Sequence, residues 1–433
     1  MTGSASAEWW RPATVGAEWG SGEDSPAPFW ALLAFTFVMV ISPQTFIPAL
    51  AMFRPALLAA AIALAAYFLD RLTHHRPLQV DAAEIRLAAC LAVWAVLSVP
   101  FSLWPGGSVW ILLEVYLKSL VVFWLLANTV SSVERLRQLI WALTIMSVPL
   151  AATATRNYLS GALIQDAAVK RIAGYGDSLA GNPNDLALTL NLILPLSLSL
   201  LVCVARPALR ALLAGIIALD AIAVLLTFSR AGFLTLVVVA VLAACGMPGG
   251  RFRGWVLAAG LMLLLSAPLL AGGYLGYLRT ITDIQADPTG SAQERWRDML
   301  AAARFVLANP VFGAGVGMNG LALNELRGQT WRMVHNAYLE YAVDLGLPGL
   351  ILFLLLLGGC LRAAWQARRL ADQGALPAEF AAFSDGIRAC LIAFSVAAMF
   401  HPVSYHFYFY YSAALAVAAR DIARRAAAPD VRS

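Results

Sequence analysis

Arginine is the side chain best shaped to hold a phosphate, because its planar guanidinium stays charged at physiological pH and offers a fork of N–H donors to paired oxygens. Arg230 lies in Leu226-Thr227-Phe228-Ser229-Arg230-Ala231-Gly232-Phe233, a very short connection between two apolar runs. A cation at headgroup depth is costly and marks a functional site by default; snorkelling to the interface is the alternative. Arg295 lies in Ser291-Ala292-Gln293-Glu294-Arg295-Trp296-Arg297-Asp298-Met299, where Ser291 and Glu294 have the spacing of a capping box. That puts Arg295 in the first turn of a helix, where unpaired N–H groups and the helix dipole favour an anion. An interfacial helix with a solvated arginine is the competing reading. His335 opens Val334-His335-Asn336-Ala337-Tyr338-Leu339-Glu340-Tyr341, with Gly346-Leu347-Pro348-Gly349 interrupting the following helix one to two turns deeper. An imidazole near neutrality can accept a proton from a hydroxyl nucleophile; a polar residue at a helix end is the plainer account. Arg171, in Lys170-Arg171-Ile172, offers a further anion contact, and Gly181-Asn182-Pro183-Asn184-Asp185 reads as a turn and an N-cap. Glu114 and Lys118, spaced i, i+4, neutralise each other. No D-x-D pair, H-E-x-x-H or G-x-x-x-x-G-K-[ST] occurs, so neither metal hydrolysis nor nucleotide chemistry has a motif to stand on and no cofactor is expected.

The scaffold for these residues is a membrane bundle. Of 433 residues 61% are hydrophobic and 13% charged, with a mean hydropathy of +0.74, whereas a soluble domain is about 45–50% apolar and about 25% charged. The apolar residues fall into runs long enough to cross a hydrocarbon core about 30 Å thick. Spans are expected at 29–48, 55–70, 86–104, 109–128, 138–155 and 186–205, then at 209–228, 231–248, 254–272, 340–363, 384–403 and 405–420. The expected class is therefore an all-α polytopic membrane protein with about twelve helices and a large periplasmic loop holding amphipathic helices.

Basic residues follow every even-numbered span: Arg71, Arg76 and Arg86, then Arg135 and Arg137, Arg206 and Arg210, Arg251 and Arg253, Arg362, Arg368 and Arg369, and finally Arg420, Arg424 and Arg425. Both termini are thus expected in the cytoplasm. The net charge of +5 is absorbed by this topology, and nucleic-acid binding is set aside. Residues 1–28 form a cytoplasmic tail without the basic start or cleavage site of a signal peptide. Residues 29–272 carry nine helices with an outward loop at 156–185, residues 273–334 form the large outward loop, residues 335–420 carry three more helices, and 421–433 form a second cytoplasmic tail. The large loop keeps Arg279, Arg295, Arg297, Arg304, Arg327 and Arg332 where the positive-inside bias would remove them. They seek an anionic partner, or they pair with Asp283, Asp287, Glu294, Asp298 and Glu325 at the surface. The helix begun near Ser291 repeats Trp296, Met299, Leu300, Ala303, Val306 and Leu307 at helical spacing, stops before Pro310, and is expected along the outer membrane surface. Cys90, Cys203, Cys245, Cys360 and Cys390 read as small core residues. The linker 205–210 is barely long enough to turn, which argues against a carrier built from two six-helix halves.

Four motifs in order, G-N-P-N-D-L-A-L, T-F-S-R-A-G-F, E-R-W-R with N-P-V-F-G-A-G-V-G, and H-N-A-Y-L-E-Y-A-V-D-L-G, resemble the O-antigen ligase and polymerase superfamily over roughly residues 170–360. The resemblance implies a glycosyltransferase of the bacterial inner membrane. Such an enzyme moves a glycan from undecaprenyl diphosphate to a hydroxyl of the lipid A core on the periplasmic side, without metal. It assigns Arg230 and Arg295 to the diphosphate, His335 to the acceptor hydroxyl, and Arg171, Asn336 and Tyr338 to the substrate. Ser42-Pro43-Gln44 and Ile47-Pro48 look more like a subgroup acting in exopolysaccharide or protein glycosylation. A polymerase or protein O-oligosaccharyltransferase is thus the alternative, with a solute or bicarbonate carrier behind it.

Overall fold

The computed structural model describes residues 25–246 and 291–427, apart from 76–77, 79–80, 167–168, 173, 176–179, 328–330 and 375. The expected span at 254–272, Arg279, Asp283, Asp287, residues 1–24 of the first tail and residues 428–433 of the second lie outside the described residues. Helical passages match each of the other expected spans: α1 (Pro26–Ile41), α2 (Pro55–Thr73), α3 (Ala83–Ser98), α4 (Pro105–Ile111) running through a π-turn at Leu112–Tyr116 into α5 (Leu117–Thr129), α6 (Val133–Leu159), α7 (Pro183–Cys203), α8 (Pro207–Leu226) and α9 (Arg230–Gly246). After the large loop come α10 (Ser291–Ala308), the single turns α11 (Asn319–Ala322) and α12 (Asn324–Arg327), and then α13 (Ala337–Ala371), α14 (Ala378–Ala397) and α15 (Phe407–Ala427).

Among the described residues eight passages are long and apolar enough to cross a membrane, and α1 and α9 are shorter apolar helices. Helix α15 is less apolar because Arg420, Asp421, Arg424 and Arg425 occupy its last turns. Between α6 and α7 the chain forms a small antiparallel hairpin, β1 (Leu163–Asp166) with β2 (Val169–Ile172), inside what was expected to be plain loop.

Helix α7 is the centre of the bundle, with 83% of its most apolar window buried, against 22% for α2 at the periphery. Its broadest packing partner is α14, and α13 packs along α15. Without water to drive apolar faces together, helices in lipid associate through close packing of small residues. The buried stripe of α15 supplies them: Ser412, Ala413, Ala414, Ala416, Ala418 and Ala419. Cys360 and Cys390 are buried as expected, but Cys90 and Cys245 are exposed, because they stand on the outward faces of α3 and α9.

Successive passages alternate in direction, so the connections after α1, α3, α6, α8 and α14 meet the start of α13 at one end, here the loop end. The opposite, basic end is tied by ion pairs: Arg137 to Glu379 at 3.0 Å, Arg368 to Asp385 at 3.0 Å, and Arg420 to Glu84 at 2.6 Å. The Glu84–Arg420 pair is almost wholly buried between α3 and α15.

Helix α13 breaks at Gly346, whose φ of +68° no L-residue adopts without strain. The chain from Pro310 to Gly315 fits into the break. Ala314 N donates to Val343 O at 2.7 Å, Gly315 N to Asp344 O at 2.8 Å, and Leu347 N to Pro310 O at 2.8 Å. Trp94 Nε1 donates to Leu345 O at 2.9 Å, and Leu103 N to Ala314 O at 2.9 Å. Thus the N-P-V-F-G-A-G-V-G segment supplies the partners that the interrupted helix lacks. A Cβ on Gly346 would collide with the Val311 carbonyl oxygen. Gly346→Ala is therefore expected to destabilise the protein by roughly 1–3 kcal/mol of backbone strain. Gly358→Ala, where nothing lies within 4 Å, should be neutral or stabilise by about 0.5–1 kcal/mol. Thermal melting in detergent checks this, and equal midpoints for the two variants would contradict the insertion.

Candidate functional site

The segment that carries His335 is pinned on three sides. Asn336 caps α13, its Oδ1 accepting from Tyr338 N at 3.0 Å and Leu339 N at 3.1 Å. Ala337 N donates to Ala398 O at 2.7 Å, and the Tyr338 hydroxyl donates to Ser395 O at 2.8 Å, both on the α14 side. Val334 N donates to Asn319 Oδ1 at 2.9 Å, while Asn319 Nδ2 donates to Asp344 Oδ2 at 3.2 Å. Asp344 Oδ2 also accepts from Gly317 N at 2.9 Å and from the Tyr405 hydroxyl at 3.1 Å. One turn earlier, Glu340 Oε2 accepts from Ser404 N at 3.1 Å and lies 2.7 Å from the Ser404 hydroxyl. Two buried carboxylates on α13 thus fasten the 315–319 and 403–405 connections beside His335.

Two ion pairs, one turn apart on α10, hold that helix against the same segment. Asp298 meets Arg327 at 2.6 Å with both side chains buried, and Glu294 meets Arg332. Arg295, between these anchors, is half-buried and near enough to both His335 and His401 to bear on their charge. The apolar side chains Trp296, Met299, Leu300 and Leu307 stand exposed, while Ala301, Ala302 and Val306 face the protein. That is the division an interfacial helix needs.

The other half of the loop end gathers around the α8–α9 turn. Phe228 is left-handed, with φ of +52°, and the Ser229 hydroxyl accepts from Gly232 N at 3.1 Å, so that Arg230 starts α9 half-buried. Arg171 is 7% exposed; its Nε and Nη2 donate to Thr227 O, each at 3.2 Å, and Nη2 donates to Asn184 Oδ1 at 2.8 Å. Asn182 caps α7 through Oδ1, which accepts from Asn184 N and Asp185 N, both at 2.9 Å. The main chain of Asn184 in turn lies beside His401. Contacts run from the Arg230 turn through Arg171 to Asn184 and on to His401, which lies within electrostatic range of Arg295 and His335.

Charge in this set is controlled by burial. His335 Nδ1 is buried with no hydrogen-bond partner among the described residues. Burial first, and then the Arg295 cation, hold the His335 imidazole below its ordinary range, against the opposing pull of Asp298 and the Met333 main chain. At neutral pH it is an uncharged base beside a fixed cation.

The sequence-expected residues divide accordingly. Arg295 lies within electrostatic range of His335, and Arg230 stands at the same end of the bundle. Arg171 gives its donors to protein oxygens. Asn336 spends its side-chain oxygen on the helix cap and Tyr338 its hydroxyl on α14, so the geometry explains both residues without a ligand. Of the large-loop arginines, Arg327 and Arg332 pair with Asp298 and Glu294, the bland alternative, and Arg297 and Arg304 are exposed. Sequence reasoning passed over His401 and Asn319. The polar run His401-Pro402-Val403-Ser404-Tyr405-His406 between two apolar helices was the available signal for the first; nothing local marked the second. Among the described residues no group of three or more His, Cys, Asp and Glu side chains is arranged to hold a metal ion.

Residues 212–354 match a family model described as O-antigen ligase. From α8 into α13 the chain thus resembles the O-antigen ligase superfamily, whose activity is in general that of a glycosyltransferase-like ligase or polymerase. The matched segment contains Arg230, Arg295 and His335. No curated protein matches the chain. The pinning of His335 makes one direct prediction: Asn319→Leu strands the Val334 N–H and removes one donor from Asp344. It should cost about 1–3 kcal/mol for the stranded group alone, seen as a lower melting temperature. An unchanged midpoint would remove Asn319 from the account.

Proposed function

We propose that this chain, which resembles the O-antigen ligase superfamily over residues 212–354, transfers a glycan from undecaprenyl diphosphate to a hydroxyl of the lipid A core, as an O-antigen ligase does. The carrying observation is a half-buried, neutral His335 within electrostatic range of the Arg295 cation in a rigidly pinned loop end. The proposed setting is the bacterial inner membrane, with both termini cytoplasmic and the loop end periplasmic; the arginines clustered at the opposite end support this through the positive-inside bias. In the proposed arrangement the stretch 273–334 is the outward loop, and 29–272 and 335–420 are the membrane parts.

In the reaction, His335 accepts the proton of the acceptor hydroxyl as its oxygen attacks the anomeric carbon. The bond from that carbon to the diphosphate oxygen breaks, and undecaprenyl diphosphate departs with the electron pair. Negative charge grows on the leaving oxygen. Guanidinium groups fixed in a site poor in water stabilise such charge far better than solvated ones, the role given to Arg295 and to Arg230 at the head of α9. Arg171 holds the α8–α9 turn and Asn184 together, so it serves the donor site by positioning it. Asn336 and Tyr338 orient the His335 segment. The proposed reaction needs no metal, since fixed cations supply the charge stabilisation.

A second reading keeps the donor and changes the acceptor, a growing polysaccharide or a protein. The proline-bounded turns Pro43–Thr45 and Pro48–Phe53, which bear exposed Phe46, Met52 and Phe53 at the loop end, favour it. A deletion strain separates the cases: loss of a ligase leaves long chains on the lipid carrier, loss of a polymerase leaves single repeats on the core, and loss of a protein glycosylating enzyme leaves lipopolysaccharide unaltered.

The direct test is purified protein reconstituted with undecaprenyl diphosphate glycan and lipid A core in EDTA. Transfer is expected, and Arg230→Ala, Arg295→Ala and His335→Ala should each lower it by about 100-fold or more. Full activity in all three would overturn the assignment. The lowered His335 pKa also fixes the acid limb of kcat/KM. A base whose pKa lies below the ordinary 6.5 stays competent as pH falls, so the limb should lie below that value; a limb above about pH 7 would contradict a His335 base.

A further inference from the structure

His401 is 2% exposed and sits on the connection between α14 and α15, within reach of the charges of Arg295 and His335. Its Nδ1 lies 3.0 Å from Ala397 O. A carbonyl oxygen can only accept, so Nδ1 carries the hydrogen. That leaves Nε2, in a neutral ring, as a bare acceptor; it is buried and has no hydrogen-bond partner among the described residues. On its other side the Asn184 main chain also favours a protonated ring. A ring set between two groups that both want a donor, with only one hydrogen to offer, is incomplete.

What keeps the second proton away is the surroundings. Burial is the main cause, and the Arg295 cation on α10 adds to it, so that the His401 pKa is pushed down to about 4. The remaining charged groups near this connection are already engaged. From the hairpin, Arg171 is bound to Asn184; in the first turn of α7, Asp185 accepts from Asn182; on α13, Glu340 is taken by Ser404. His406, on the same connection, is itself held neutral by burial.

We propose that His401 takes up a proton when a diphosphate anion settles against Arg295, so that donor binding and protonation of this buried ring are one event. The anion offsets the Arg295 cation that opposes the imidazolium, and the new Nε2–H turns toward the Asn184 main chain. The start of α7 and the end of α14 are thereby drawn together over the bound donor. On departure of the diphosphate the proton is released again. His401 touches neither the anomeric carbon nor the acceptor; it is a positioning residue that reports occupancy of the site. The inference rests on the diphosphate reading given above.

The experiment measures binding of P1,P2-dimethyl diphosphate, whose own charge is constant between about pH 5 and 8, to the full-length protein in detergent. Affinity of the parent should fall as pH rises, approaching tenfold per unit where a whole proton is taken up. Calorimetry near neutrality in buffers of different ionisation enthalpy should register that proton directly. His401→Asn keeps a donor for Ala397 O but cannot titrate; it should bind the ester with a flat pH dependence. His335→Asn should keep most of the slope. Binding by the parent without proton uptake would overturn the role of His401 and leave the diphosphate site standing, and this measurement holds even if the asparagine variant fails to fold. A slope that survives His401→Asn and vanishes in His335→Asn would also overturn it. No binding of the ester by the parent at any pH would sink the diphosphate reading itself, and this inference with it.

Discussion

A helix that breaks inside an apolar bundle must find partners for every carbonyl and N–H it frees, because hydrocarbon offers none. The break at Gly346 in α13 is met by backbone from residues 310–315, and this one constraint organises the loop end. The inserted chain leads on to Gly317 and Asn319, which fasten to Asp344, and Asn319 reaches back to hold Val334 beside His335. The histidine is therefore positioned by rigid, buried backbone contacts, and the described part of the large loop folds onto the bundle instead of standing off it.

Electrostatics then sort the arginines that the loop retains. Arg327 and Arg332 serve as fasteners, since each meets a carboxylate on α10. Those two pairs fix the helix and leave Arg295 between them, within electrostatic range of two histidines. Burial keeps both histidines uncharged, so the cationic character of the mouth comes from guanidinium groups whose charge cannot be titrated away. In a medium of low dielectric such fixed charge acts strongly on an anion that enters and on neighbouring groups that exchange protons. An imidazole base beside a permanent cation is a workable arrangement for removing a hydroxyl proton while a diphosphate leaves.

Much of the fold was legible from hydropathy alone, because twenty consecutive apolar residues permit few structures. The start and stop of α10 followed from Ser291, Glu294 and Pro310, and the break in α13 from Gly346-Leu347-Pro348-Gly349. Arg295 and His335 were legible as polar chemistry kept where lipid disfavours it. Sequence could not show which arginines would find carboxylates, since Arg327 meets Asp298 across the fold between α12 and α10. Nor could it show that Arg171 would turn inward to Thr227 and Asn184, or that the hairpin would form. Asn336 illustrates the limit from the other side. The family resemblance implied a substrate contact for it, yet its oxygen caps a helix, a local role that Asn readily fills. His401 was visible as a polar residue in a short connection, but its contact with the Asn184 main chain depends on α7 and α14 lying side by side.

The account stands on residues 230, 295 and 335 opening to one pocket on the outward face. Single cysteines at these positions, in a chain whose five native cysteines are replaced, can be labelled with a membrane-impermeant maleimide applied from the periplasmic side. All three are expected to react from that side, and prior addition of a diphosphate ester should slow each of them. Reaction of any one only from the cytoplasmic side would contradict a shared pocket.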